Sequence, residues 1–236
     1  ITNLNEKIVC STSTKLNINQ FNGNCFEQNP DDWIVALETC LHNLKLENID
    51  FSNIKAISFS AQMLGCIIID EHDKPIRPAI LWNDGRSYLE SQYLENNFTK
   101  ELLPSGCRPN PGLLLPKLLW IKNNEPNNFK KIKKILLPKD YLKLFLTGSF
   151  STDPSDASGT MLFDLIRKDW NQNLIDELEI DRDWLPEVHP SDKDIGKLRQ
   201  TLLNKWNFNK KIKIINGAGD NAAAALGSGV FKDGEM

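Results

Sequence analysis

Near its C-terminus the chain reads Ile212-Lys-Ile-Ile-Asn-Gly-Ala-Gly-Asp-Asn-Ala-Ala-Ala-Ala-Leu-Gly227. An apolar, β-branched run feeds a glycine turn, the turn delivers Asp220 and Asn221, and a run of alanines follows. Alanine is the best helix former, so Asp220 is expected where a strand end becomes a helix start. In open α/β sheets, ligands gather at the carboxyl ends of strands. A carboxylate displayed there can serve as a base or a metal ligand, and Gly217 and Gly219 let another group come close to the backbone. Two other readings stay open. Asp is a favoured helix cap, worth roughly 1 kcal/mol. Gly217-x-Gly219-x-x-Ala222 also fits the dinucleotide fingerprint by letter. That fingerprint wants an acidic residue ~20 positions on, too few residues follow Gly227, and Asp220 would face the pyrophosphate with like charge.

The elements that must hold this carboxylate follow from spacing. Asn29-Pro-Asp-Asp32 reads as a helix entry, and Trp33, Leu37, Cys40, Leu41 and Leu44 repeat on one helical face. Residues 54–60 alternate like a strand, 61–65 break it, and 66–70 form a short apolar strand. Residues 78–82 are another strand-like run, which presents Trp82 and, after Asn83-Asp-Gly, Arg86. Trp82 could stack on the C–H face of a sugar and Arg86 could reach hydroxyls. Equally, Trp82 could pack in the core and Arg86 could close a turn with Asp84. Helical patterns cover residues 87–103, 118–121, 140–146 and 170–178. Residues 151–159 are rich in turn formers and read as a polar loop. Residues 1–13 look like two strands around a polar turn. The class is α/β, in one domain.

Bulk properties narrow the function. The chain has 236 residues, 40% hydrophobic and 25% charged, as expected of a globular protein with a sizeable core. A net charge of −3 does not favour nucleic acid, and the Lys130, Lys131, Lys133, Lys134 cluster reads as a solvated face ahead of a buried strand. Five cysteines without C-x-x-C spacing suggest a reducing compartment, and three histidines lack ligand spacing, so no metal site is expected among them. No apolar run approaches the ~20 residues of a membrane span, and no signal peptide is evident. The chain reads as cytoplasmic.

Several segments, in order, carry a family resemblance: Phe26-Glu-Gln-Asn-Pro-Asp-Asp-Trp33, Gln62-Met-Leu-Gly65, Arg77-Pro-Ala-Ile-Leu-Trp-Asn-Asp-Gly-Arg86, Pro116-Lys-Leu-Leu-Trp120, Leu137-Pro-Lys-Asp-Tyr-Leu142, Thr152-Asp-Pro-Ser-Asp-Ala-Ser-Gly-Thr160 and Gly217-Ala-Gly-Asp-Asn221. Together they resemble the FGGY carbohydrate kinases over essentially the whole chain, and within them the branch acting on D-xylulose. The resemblance implies a ribonuclease-H-like domain of the actin and hexokinase type. Residues 1–236 would be the first, sugar-binding domain, missing its first strand and truncated at both ends. The domain supplying most of the ATP site would lie beyond them, so the chain alone is expected to be inactive.

The resemblance also assigns roles. Asp220 matches the family's catalytic base and Asn221 a neighbouring sugar ligand. Gln62, Met63 and Leu64 match a substrate segment in which histidine is usual where Leu64 stands; plain core packing is the other account of Met63 and Leu64. That departure bears on which sugar is used, since a site built on hydrogen bonds loses discrimination when one is deleted. Lys117, Trp120 and Asn124 fit a family signature, and Leu114 departs from it. Asp153, Asp156 and Thr160 read as turn and cap residues. ATP and Mg2+ are implied for the complete enzyme, with a small sugar as partner and a homodimer as an option. The rival expectations are a kinase for another sugar or polyol, and a non-catalytic sugar-binding or dimerisation module.

Overall fold

Two stretches far apart in sequence become parallel neighbours. Ala56–Ile57 pairs with Lys213–Ile214, and Ser60–Ala61 pairs with Ala218–Gly219, with Gly219 opposite Ala61. The computed structural model describes residues 1–5, 7–230, 232 and 234. The strand expected over 54–60 is thus two short pieces. Gly217 explains the interruption on the facing strand. Its φ is +79°, and a side chain there would run into the carbonyl oxygen of Phe59.

Beside this pair lies an antiparallel unit in the order Asn19–Phe21, Cys25–Gln28, Ala79–Ile80. Its hairpin turns at Asn22 and Gly23, both at positive φ. Ile67–Ile69 pairs antiparallel with Lys134–Leu136, and an isolated bridge links Cys66 to Ile80. Ile68 faces one apolar cluster while Ile67 and Ile69 face another. A strand covered on both sides reads as an unbroken apolar run, which is why 66–70 shows no alternation. Ser151–Thr152 pairs parallel with Glu187–Val188. The mixture is α/β, as the sequence implies.

Helix Pro30–Leu46 starts as expected: the Asn29 side chain accepts from the Asp31 N–H, and Trp33 and Leu44 are buried. It lies on helix Pro138–Thr147, where Trp33 meets the edge of Tyr141 at 6.4 Å and the Tyr141 hydroxyl donates to Asp31 at 2.7 Å. Gly148 ends the second helix at φ +80°. Helix Leu114–Asn124 runs through the largest apolar cluster, with Leu114, Leu115, Leu118 and Ile121 buried. Helix Gln200–Trp206 packs Leu202, Leu203 and Trp206 against Phe51, Phe208 and Ile214.

One expectation is corrected. Residues 151–159 are not a surface loop. They hold the strand Ser151–Thr152 and the helix Pro154–Ser158, and Thr152, Asp153, Asp156 and Ala157 are buried. Asp153 caps the short helix by accepting from the Ser155 N–H at 3.0 Å. Residues 1–13 contribute only an isolated bridge between Thr2 and Ile8, and Glu6, in their polar turn, lies outside the described residues. Among the described residues, no helix is long and apolar enough to cross a membrane.

Gly217→Ala should destabilise the chain by about 2–5 kcal/mol, since it adds left-handed backbone strain to a backbone collision. Equilibrium urea unfolding measures it. A loss under about 1 kcal/mol would mean that the turn can relax.

Candidate active site

Strand Ala218–Gly219 passes directly into helix Asp220–Gly227. Gly219 holds the cap position and Asp220 is the first helical residue, with no side-chain cap bond. The cap reading of Asp220 therefore does not apply. Its carboxylate is exposed and accepts the Asn221 N–H at 2.9 Å, in the first turn, where the helix dipole favours negative charge. Asn221 is exposed beside it.

Because Gly219 is paired with Ala61, Asp220 and Gln62 leave the carboxyl ends of neighbouring parallel strands. Strands so paired lie ~4.8 Å apart. The Gln62 amide donates to Gln28 Oε1 at 3.1 Å, and the Trp33 indole donates to that same oxygen at 3.1 Å. Met63 lies against Gly219: a β-carbon there would sit 2.6 Å from Met63 Cγ and 2.7 Å from its sulfur. The fold thus brings Gln62, Met63, Asp220 and Asn221 together.

Leu64 sits at φ +68°, in the left-handed region that a leucine seldom adopts. Its side chain occupies the space left by Gly159 and packs on the main apolar cluster. Its carbonyl is held by Lys117, whose Nζ donates to Leu64 O at 2.8 Å and to Gly112 O at 2.6 Å. Lys117 is fully buried, and burial pushes its pKa down to about 7.

Trp82 is 55% exposed, which sets aside the core account of it. Arg86 is turned inward, its side chain only 5% exposed. Nε and Nη2 clasp Asp84 at 2.9 and 2.8 Å, Nη1 reaches Glu27 at 2.7 Å, and the Trp120 ring lies 5.0 Å away. Glu27 also pairs with Arg77, which pairs in turn with Glu125 at 3.0 Å. The Asp84 turn contact foreseen for Arg86 is present, and it is the middle of a buried ion cluster.

A second cluster lies directly behind the Asp220 turn. Lys139 and Lys143, both fully buried, project from helix Pro138–Thr147. Lys139 Nζ lies 2.7 Å from Asp140, 2.8 Å from Asp153 and 2.9 Å from Asp156. Lys143 pairs with Asp140 at 2.9 Å and donates to the Asn216 side chain. The Asn216 amide in turn donates to the carbonyls of Thr152 at 2.9 Å and His189 at 2.8 Å. Burial works against the Lys139 charge, but the carboxylates around it outweigh burial and hold it protonated. Burial also works to raise Asp153, yet Lys139, Ser155 and Ser191 keep it below the usual carboxylate range. Asp156 goes the other way. Burial, with Asp140 and Asp153 nearby, outweighs Lys139 and raises its pKa to about 7. The sequence reads Asp153 and Asp156 as turn and cap residues, and Asp153 does cap helix Pro154–Ser158; the roles of Lys139, Lys143 and Asn216 are not foreseen. The signal in the quoted segments was Lys139 beside Asp140 and the pair Asp153 and Asp156; Lys143 and Asn216 lie outside those segments.

The chain belongs to the FGGY family of carbohydrate kinases: residues 1–227 match that family's N-terminal domain. It is 41% identical over 209 residues to a xylulose kinase of Lactococcus lactis, covering 88% of this chain and 42% of the relative. It is 35% identical to a xylulose kinase of Escherichia coli, covering 96% of this chain and 47% of that protein. The solved structure of a xyloylose kinase from Brucella ovis superimposes with a TM-score of 0.90 at 36% identity, over 93% of this chain and 46% of that one. The actin and hexokinase type of fold is therefore established, and the chain spans about half the length of the curated relatives it matches.

The Asp156 proton gives stability a signed pH dependence. Its folded pKa of about 7 exceeds the ordinary 3.8. Between those values the native state keeps a proton that the unfolded chain releases, so this group makes stability fall as pH rises from about 4 to about 7. Asp156→Asn should flatten that slope in urea midpoints measured across this window. An unchanged slope would show that Asp156 is ionised throughout.

Proposed function

We propose that the complete protein transfers the γ-phosphate of ATP to a hydroxyl of a ketopentose, converting D-xylulose to D-xylulose 5-phosphate in the cytoplasm, with Asp220 as the base. One observation carries this reading. The pairing of Gly219 with Ala61 sets an exposed carboxylate beside Gln62 at the open ends of two parallel strands. The names of the similar proteins favour D-xylulose as the substrate.

A sugar hydroxyl is a weak nucleophile, and phosphoryl transfer depends chiefly on alignment and charge stabilisation. Asp220 accepts a hydrogen bond from the attacking hydroxyl and takes its proton as the new P–O bond forms. Asn221 and Gln62 offer amide groups to neighbouring hydroxyls, Met63 gives the apolar floor, and Trp82 offers an exposed ring to a C–H face. Arg86 acts through the Asp84 turn that presents Trp82. The phosphoryl group comes from ATP: the bond from its γ-phosphorus to the β,γ-bridging oxygen breaks as the new P–O bond forms, and ADP leaves; a bound magnesium ion would offset the phosphate charge. Among the described residues, no group of three or more His, Cys, Asp or Glu could hold a metal ion.

Asp220→Asn in the complete protein should lower kcat by about 100-fold or more, with a much smaller change in KM. The amide keeps the shape and can still contact a hydroxyl, but cannot take the proton. Steady-state kinetics with D-xylulose and ATP decide it, and near-normal kcat would remove Asp220 from the chemistry.

A further inference from the structure

Asp220 is exposed, and helix Asp220–Gly227 has no buried residue along its length. The strand and turn before the helix fix where it starts, and with it the Asp220 backbone, and Gly219 has no side chain with which to anchor that turn. Its backbone N–H donates to Ser155 Oγ at 2.9 Å. The Ser155 hydroxyl donates to Asp153 Oδ2 at 2.5 Å. A hydroxyl has a single hydrogen, so once that hydrogen is committed to Asp153 a lone pair is left facing Gly219. Asp153 is held from other sides by the Ser155 N–H at 3.0 Å, the Ser191 hydroxyl at 2.8 Å and Lys139 Nζ at 2.8 Å. Asp156 closes the remaining face: a β-carbon on Gly219 would lie 3.1 Å from its Oδ1.

We propose that Ser155 is the positioning residue for Asp220, its hydroxyl locking the Gly219 N–H to the buried Asp153–Lys139 pair. The proposal rests on the reading of Asp220 as the base. The path runs from Lys139 through Asp153 and Ser155 to Gly219, and the carboxylate follows one residue later. A serine in a polar stretch thereby acts on a reaction that it does not touch.

The test is a double-mutant cycle in the complete protein, with D-xylulose and ATP as substrates. Ser155→Ala should lower kcat by roughly 10- to 100-fold, the range for a small misplacement of a reacting group, with KM for D-xylulose nearly unchanged. Ser155→Thr, which keeps the hydroxyl, should recover most of the loss. In an Asp220→Asn background, Ser155→Ala should cost little more, because the group it positions is already disabled. The same fold-loss in both backgrounds overturns the proposal, as does a raised KM at unchanged kcat. If Ser155→Ala is harmless while Asp220→Asn is impaired, the positioning role fails and the base assignment stands. Near-normal kcat in Asp220→Asn removes the base assignment and the proposal together. Should Ser155→Ala not accumulate as folded protein, Ser155→Cys carries the same expectation, since it keeps the size and weakens the acceptor.

Discussion

The buried grouping of Lys139 and Lys143 with Asp140, Asp153 and Asp156 is the constraint on which the rest of this structure turns. Removing such charges from water costs several kcal/mol per ion, and the cost is offset only when every partner is in place. The grouping therefore admits few arrangements. It requires helix Pro138–Thr147, the segment 151–156 and Asn216 to meet at one point. Asn216 lies just before the glycine turn, so the strand that delivers Asp220 is tied to the same centre. Lys143 bonds Asn216, so the same charges that hold the segment 151–156 also reach the residue in front of the turn.

A second set of charges is buried near residues 62–64. Glu27, Arg77, Arg86, Asp84 and Glu125 form a continuous chain, with Trp120 against both arginines. Lys117, from the same helix as Trp120, holds the carbonyl of Leu64. Asp220, Asn221 and Trp82 are exposed, with Gln62 and Met63 partly so. Their supports are buried. Exposed side chains held by packed, hydrogen-bonded neighbours keep a narrower range of positions than side chains on unsupported loops.

Where apolar spacing carries the information, the sequence was legible. The Asn29-capped helix, the Ile67–Ile69 strand, the helix ended by Gly148 and the strand-to-helix passage at Asp220 all follow from periodicity, caps and glycine. The motifs in order located the family. What stayed hidden depends on partners distant in sequence. Residues 151–159 look like a surface loop because their composition is polar, and they are buried against partners far off in sequence, Lys139, Ser191, Asn216 and Gly219. Arg86 could equally have faced a ligand until Glu27, 59 positions away, claimed it. The hairpin at Asn22-Gly23 was readable from that dipeptide and was passed over, and helix Gln200–Trp206 offered no cap signal.

Helix Asp220–Gly227 is anchored at its start through the Gly219 N–H, and its length sets a ratio of displacements about that point. Eight residues make an arm of about 12 Å, and Asp220 lies only about 1.5 Å from the pivot. A sideways push of ~4 Å at the far end thus moves the Asp220 backbone by roughly 0.5 Å. The geometry separates large motion from fine alignment, and places the alignment on the still end.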